Sequence, residues 1–130
     1  MTSLTPAQAA LLEEPNFAVA TTLRPDGSPH STVVWVEIVD GLPSFNTAGG
    51  RMKPANLERD ARISLLVVKN GDFYTWLSLD GRAELTHEGA QEQIDRLSLK
   101  YDGKPWSYRD GEERVTARIL PDRVTDYAVT

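Results

Sequence analysis

Asn46-Thr47-Ala48-Gly49-Gly50-Arg51-Met52-Lys53-Pro54-Ala55-Asn56-Leu57-Glu58-Arg59-Asp60 closes one strand, passes two glycines and opens a short helix. Pro54 suits the first turn of that helix, where a backbone N–H has no intrahelical acceptor and is not missed. Arg51 and Lys53 fall just ahead of the expected helix start, and Asn56 falls in its first turn. Free backbone N–H groups and the positive end of the helix dipole point the same way as these side chains. The segment therefore reads as an anion site, for a phosphate or a polycarboxylate. Residues 49–62 hold four Arg or Lys against two Asp or Glu, in a chain whose formal net charge is −5. A cationic spot on an acidic protein is a local device, not a general surface property.

Outward from this loop the sequence is strand-rich. Ser3-Leu4-Thr5-Pro6 and the Ala-rich stretch to Glu14 predict a capped opening helix, stopped at Pro15. Phe17–Leu23 predicts a strand, closed by the turn Arg24-Pro25-Asp26-Gly27. His30–Val39 (HSTVVWVEIV) predicts one long β-branched strand. Asp40-Gly41 then predicts a tight hairpin into Leu42–Asn46, where Pro43 marks an edge or a bulge. Beyond the cationic loop, Arg62–Val68 predicts a buried strand, and Asn70-Gly71 turns it into Phe73–Leu85, with a bulge or bend at Asp80-Gly81. Glu88–Tyr101 predicts a second full helix with Ile94, Leu97 and Tyr101 on one side. The loop DGKPWSYRDGE leads to a final strand pair, Arg114–Leu120 and Arg123–Val129, joined at Pro121-Asp122. Six or seven strands with hairpin-like links and few helices favour a mainly β (α+β) fold, a closed or partly split antiparallel barrel with short flanking helices.

Composition narrows the function. At 130 residues the chain is expected to form one domain, 1–130, with a single core. No apolar run approaches the ~18 residues that span a bilayer, so no membrane partner is expected. The opening MTSLTPAQAALLEEPN lacks a basic stretch followed by an apolar core, so no signal peptide is expected and a cytoplasmic location is. The absence of cysteine excludes disulfides, thiolate metal sites and a cysteine nucleophile. A pI near 5.0 argues against nucleic-acid binding, which needs a broad basic face. His30 and His87 lie too far apart in sequence to suggest a metal pair, and no metal site is expected.

The order strand, Asp26-Gly27-x-Pro29-His30-x-x-x-Val34-Trp35, Asp40-Gly41 hairpin, Asn46-Thr47-x-x-Gly50-Arg51-x-Lys53-x-x-Asn56-Leu57-x-Arg59-Asp60-x-Arg62, strand resembles the flavin and deazaflavin oxidoreductases of the split β-barrel superfamily, the pyridoxamine-phosphate-oxidase-like or PPOX class. Arg51-x-Lys53-x-x-Asn56-Leu57 is similar to the branch that uses the deazaflavin coenzyme F420. The resemblance covers nearly the whole chain. It departs at Ala61-Arg62, where many relatives carry Pro-Arg.

The resemblance implies a homodimer with a cofactor in each of two clefts between subunits. Strand residues Thr32, Val33, Val34 and Trp35 would lie along the ring system. Arg51, Lys53 and Asn56 would hold the phosphate and the start of the oligoglutamate tail, with the Thr47 hydroxyl reaching the phosphate. Trp76, on a strand of the partner subunit, would close the far side, and Trp106 would cover a small-molecule substrate. Arg grips a phosphate through two donors, while Lys acts as a mobile point charge. Hydride transfer is the cofactor's own chemistry, so the protein needs neither a triad nor a metal. The expected activity is an F420H2-dependent reductase acting on a conjugated acceptor such as a bilin, quinone or enone. Two alternatives keep the fold: an FMN-dependent oxidoreductase, or a non-catalytic protein that binds a cofactor or other ligand in the same cleft. A basic groove continuing from Arg51 towards Arg59 would favour the oligoglutamate tail over a single FMN phosphate.

Overall fold

The computed structural model describes residues 2–130. Seven strands, β1 (Ala18–Leu23), β2 (Pro29–Val34), β3 (Val36–Val39), β4 (Leu42–Ala48), β5 (Arg62–Lys69), β6 (Asp72–Thr86) and β7 (Arg114–Tyr127), are accompanied by α1 (Pro6–Glu13), α2 (Met52–Arg59) and α3 (Ala90–Asp102). All pairings are antiparallel, in the order β2-β1-β5-β6-β7-β4-β3. The two edge strands are consecutive in the chain, with Trp35 alone between them. The sheet therefore has to curl until its edges meet, giving a split half-barrel joined across the gap by covalent chain and not by a hydrogen-bonded ladder.

Alternation builds the core. Val34, Ala18, Val67 and Leu77 are linked in register across β2, β1, β5 and β6 and all point inwards, where Phe45, Leu65, Leu79 and Ile119 join them. Leu11 and Leu12 of α1 and Leu57 of α2 complete the cluster. α1 starts in a capping box: Thr5 accepts from the Gln8 N–H, and the Gln8 side chain accepts from the Thr5 N–H.

The structure corrects five local expectations. The run His30–Val39 is two strands, broken at Trp35, because one half must serve each edge of the sheet. The final pair is one strand, β7, with no turn at Pro121-Asp122. Opposite Asp80-Gly81, β7 carries one extra residue, Asp122, between Pro121 (paired with Gly81) and Arg123 (paired with Asp80), and a Cβ at Gly81 would stand 2.2 Å from the Leu120 carbonyl oxygen. Pro121 thus sits in a bend that a residue without a side chain makes possible. Pro43 lies on an inner strand, one residue before the β4–β7 ladder begins at Ser44, so its missing N–H interrupts no pairing there. β5 is buried on one face only, and Leu66 on the other is 39% exposed. Finally, α2 starts at Met52, one residue after Arg51, which puts Lys53 inside its first turn and Asn56 in its second. The Asp40-Gly41 hairpin forms as expected, with positive φ at both positions (53° and 78°).

Candidate functional site

The split positions the site. β3 and β4 pair Val36 with Phe45; continued past Trp35, that register would set Trp35 against Asn46 and Val34 against Thr47. The ladder does not continue. Residues 46–48 pair with β7, and β2 pairs only with β1. The second edge of β2 is therefore left without a strand partner, with backbone groups available to a ligand. The cationic loop runs beside this edge. Gly50 turns with φ 84°, and Arg51 takes the N-cap of α2 without a side-chain cap bond. An arginine cannot accept, so the first-turn N–H groups have no side-chain acceptor there.

Lys53 bridges loop and strand. Its Nζ donates to Thr32 Oγ1 at 2.9 Å, bringing together two residues singled out from sequence. Burial holds Lys53 below the usual lysine range, and the like charges of Arg51 and Arg114 push it the same way. Thr47, just ahead of the glycine turn, is buried, and its Oγ1 has no partner among the described residues. His30, on the inward face of β2, likewise has a buried Nδ1 with no partner. Asn56 is buried and engaged at both ends: its amide donates to Thr22 Oγ1 (3.0 Å) and accepts from Arg59 Nη2 (3.0 Å). Arg59 Nη2 also donates to the Leu23 carbonyl. The Arg59 guanidinium folds back to tie α2 to β1, so it does not extend the cationic loop into the basic groove that would favour an oligoglutamate tail.

The far end of the split is aromatic. Trp35 stacks on Tyr101 (5.5 Å, 6° between planes) and meets Trp106 edge-on (6.2 Å, 89°). The Tyr101 hydroxyl accepts from the Val36 N–H (3.2 Å) and donates to the Asn16 carbonyl (2.5 Å), while Lys100 Nζ donates to the carbonyls of Val36 (2.6 Å) and Leu12 (2.8 Å). The end of α3 thus supplies at the strand break the bonds that a ladder would have made. Arg114 is buried over the Trp106 ring, 5.0 Å from its centre. It donates from Nε to Asn46 Oδ1 (2.8 Å) and from Nη1 to Glu112, which also accepts from Trp106 Nε1 (3.3 Å). A cavity of 160 Å³ lies among these groups.

Two residues singled out from sequence lie elsewhere in this chain. Trp76 sits on the outer face of β6, stacked on Tyr127 at 6.3 Å and three strands from β2. Val33 points outwards and is 65% exposed, whereas Val34 faces the core. Sequence reasoning passed over Arg114, Glu112, Asn46 and Tyr101 as site residues. Nothing local marks the first two, whose roles arise from partners distant in the chain or from the fold of a loop.

The pyridoxamine 5'-phosphate oxidase family profile matches residues 4–126. The F420H2-dependent biliverdin reductase of Mycobacterium tuberculosis is 30% identical over 125 residues, covering 95% of this chain and 88% of the relative. Among solved structures, an F420 reductase superposes with a TM-score of 0.81 at 22% identity, over 94% of this chain and 98% of the other. A conserved hypothetical protein of Mycobacterium tuberculosis superposes with a TM-score of 0.74 at 27% identity, over 95% of this chain and 84% of the other.

Proposed function

The chain belongs to the pyridoxamine 5'-phosphate oxidase family, and from that membership we propose that it is an F420H2-dependent oxidoreductase acting on a conjugated small molecule. The observation that carries the reading is the cationic loop held against an open strand edge by the Lys53–Thr32 bond. The F420H2-dependent biliverdin reductase relative supports the same cofactor and an acceptor of the bilin kind. When bound, the deazaflavin supplies the hydride chemistry. The protein's own residues bind and orient it.

Arg51 and Lys53 hold the phosphate, and Thr47 offers it a hydroxyl that no other group among the described residues engages. Thr32 fixes the Lys53 ammonium against β2. Asn56 serves by bracing α2 on β1, which sets the angle at which Arg51 and Lys53 meet the anion. The backbone of Thr32–Trp35 faces the ring along the open edge, and Trp35 and Trp106 shut water out of its end. A second copy of the chain closes the cleft: Val33, Leu66 and Phe73 are exposed and lie together on the outer sheet face, an apolar patch suited to burial between subunits. Trp76, on that same face, then reaches the partner's cleft.

One observation supports a second reading. With Arg59 turned back onto Leu23 and Asn56, the loop offers few free cations beyond Arg51 and Lys53, and a single phosphate would be satisfied by these two. FMN is therefore the alternative cofactor.

Separate titrations of the purified chain with F420 and FMN test both readings, combined with Arg51→Ala and Lys53→Ala variants. Tighter binding of F420, weakened in each variant by roughly 1.5–3 kcal/mol, the worth of a charged hydrogen bond, is the expected result. Preference for FMN selects the alternative. Unchanged affinity in both variants removes the loop from the site.

A further inference from the structure

Arg114 has donor capacity the chain does not use. Its side chain is 3% exposed, and a charge so placed needs compensation. Glu112 meets Nη1 and Asn46 meets Nε, but among the described residues Nη2 has no hydrogen-bond partner. Glu112 is itself divided, since it also serves Trp106 Nε1 and the Arg109 N–H (3.1 Å). The neighbourhood is further weighted to positive charge by Lys53, on which both Arg114 and Arg51 act electrostatically.

The space beside this guanidinium has a definite shape. Trp35, Asn46, Ile94, Leu97, Trp106 and Arg114 line a cavity of 160 Å³. Its walls are two indoles at right angles and two aliphatic side chains of α3, with the guanidinium against one ring. A cavity of about 150 Å³ is enough to take a benzene-sized ring. We propose that this cavity is a subsite for a ring-sized conjugated group bearing a carboxylate, gripped by Arg114 Nη2 and walled by Trp35 and Trp106. In naming the acceptor class it rests on the reductase reading: the substrate is an unsaturated carboxylate whose acid group lies at Arg114, which pairs across the β4–β7 ladder with Ala48, just ahead of the glycine turn that leads to Arg51.

The test uses the full chain without cofactor and a matched pair of probes, benzoate and benzamide. Binding is followed through the indole Nε1–H resonances of Trp35, Trp76 and Trp106. Benzoate should move the Trp35 and Trp106 signals, leave Trp76 in place, and bind about tenfold more tightly than benzamide, in keeping with a charged hydrogen bond. Arg114→Gln alone would strand Glu112 as a buried carboxylate, so the informative variant is Glu112→Gln with Arg114→Gln, in which the preference for benzoate should vanish. The proposal is overturned if benzoate fails to bind, binds no better than benzamide, moves only Trp76, or keeps its advantage in the double variant. A chain that binds benzoate here but not F420 retains the subsite and loses the reductase reading. Binding of F420 without benzoate preference does the reverse.

Discussion

The two ends of the split are built on opposite terms. At the loop end, Arg51 makes no side-chain hydrogen bond or ion pair among the described residues, Thr47 keeps an orphaned hydroxyl, and Lys53 is tied by a single bond to Thr32. At the aromatic end almost every polar group is engaged: Tyr101 and Lys100 on the backbone of the strand break, Glu112 on three donors, Arg114 on Asn46 and Glu112. Cations left open to a ligand and cations woven into structure look alike in a sequence. The difference shows only in what each charge already holds: the loop cations are largely uncommitted, while at the aromatic end most of the charge is spent on structure and, among the described residues, Arg114 Nη2 alone is left over.

The largest expected effect breaks the aromatic end. Arg114→Ala leaves Glu112, 7% exposed, without its cation, and removing one partner of a buried pair should lower stability by about 3–5 kcal/mol. Arg51→Ala, at an exposed position unpaired among the described residues, should stay within about 0.5 kcal/mol. Thermal melts of the two variants test the contrast directly, and equal losses would abolish it. A smaller effect is expected from Tyr101→Phe, which strips the Val36 N–H and the Asn16 carbonyl of their shared partner. The cost should be about 1–3 kcal/mol, accompanied by broadening of the Trp35 indole resonance as its stacking support loosens. A sharp, unshifted Trp35 signal would show that the strand break holds its geometry without the hydroxyl.

The fold was largely legible because its signals are local. Asp40-Gly41 and Asn70-Gly71 dictate hairpins through the backbone angles they tolerate, and Thr5-Pro6 with Gln8 dictates a helix start. What escaped is set by distant partners. Nothing in HSTVVWVEIV distinguishes a strand that continues from one that changes edges at Trp35; the break follows from the sheet order. Pro121-Asp122 has ordinary turn chemistry, and Gly81 across the ladder, which leaves room for β7 to bulge at Asp122, decides against a turn. The loop half of the proposed site could be singled out because Arg51 and Lys53 flank one helix start. Arg114 was not, since its acceptor Asn46 lies 68 residues away.

The smallest effect sharpens the loop end through pH. Lys53 is held below its ordinary value of 10.5, first by burial and then by Arg51 and Arg114. Between that lowered value and 10.5 the unfolded chain keeps a proton that the folded chain has shed. Linkage then makes this group's contribution to stability rise with pH across the window, since the cost of a half-buried charge is relieved. Anion binding runs the other way, because only the ammonium attracts a phosphate. Affinity for F420 should therefore begin to fall in the alkaline range before an ordinary lysine would titrate. In Lys53→Arg, whose guanidinium stays charged throughout, the fall should be absent even if binding is weaker at neutral pH. A wild-type affinity flat up to 10.5 would mean that Lys53 does not contact the anion, leaving Arg51 to hold it alone.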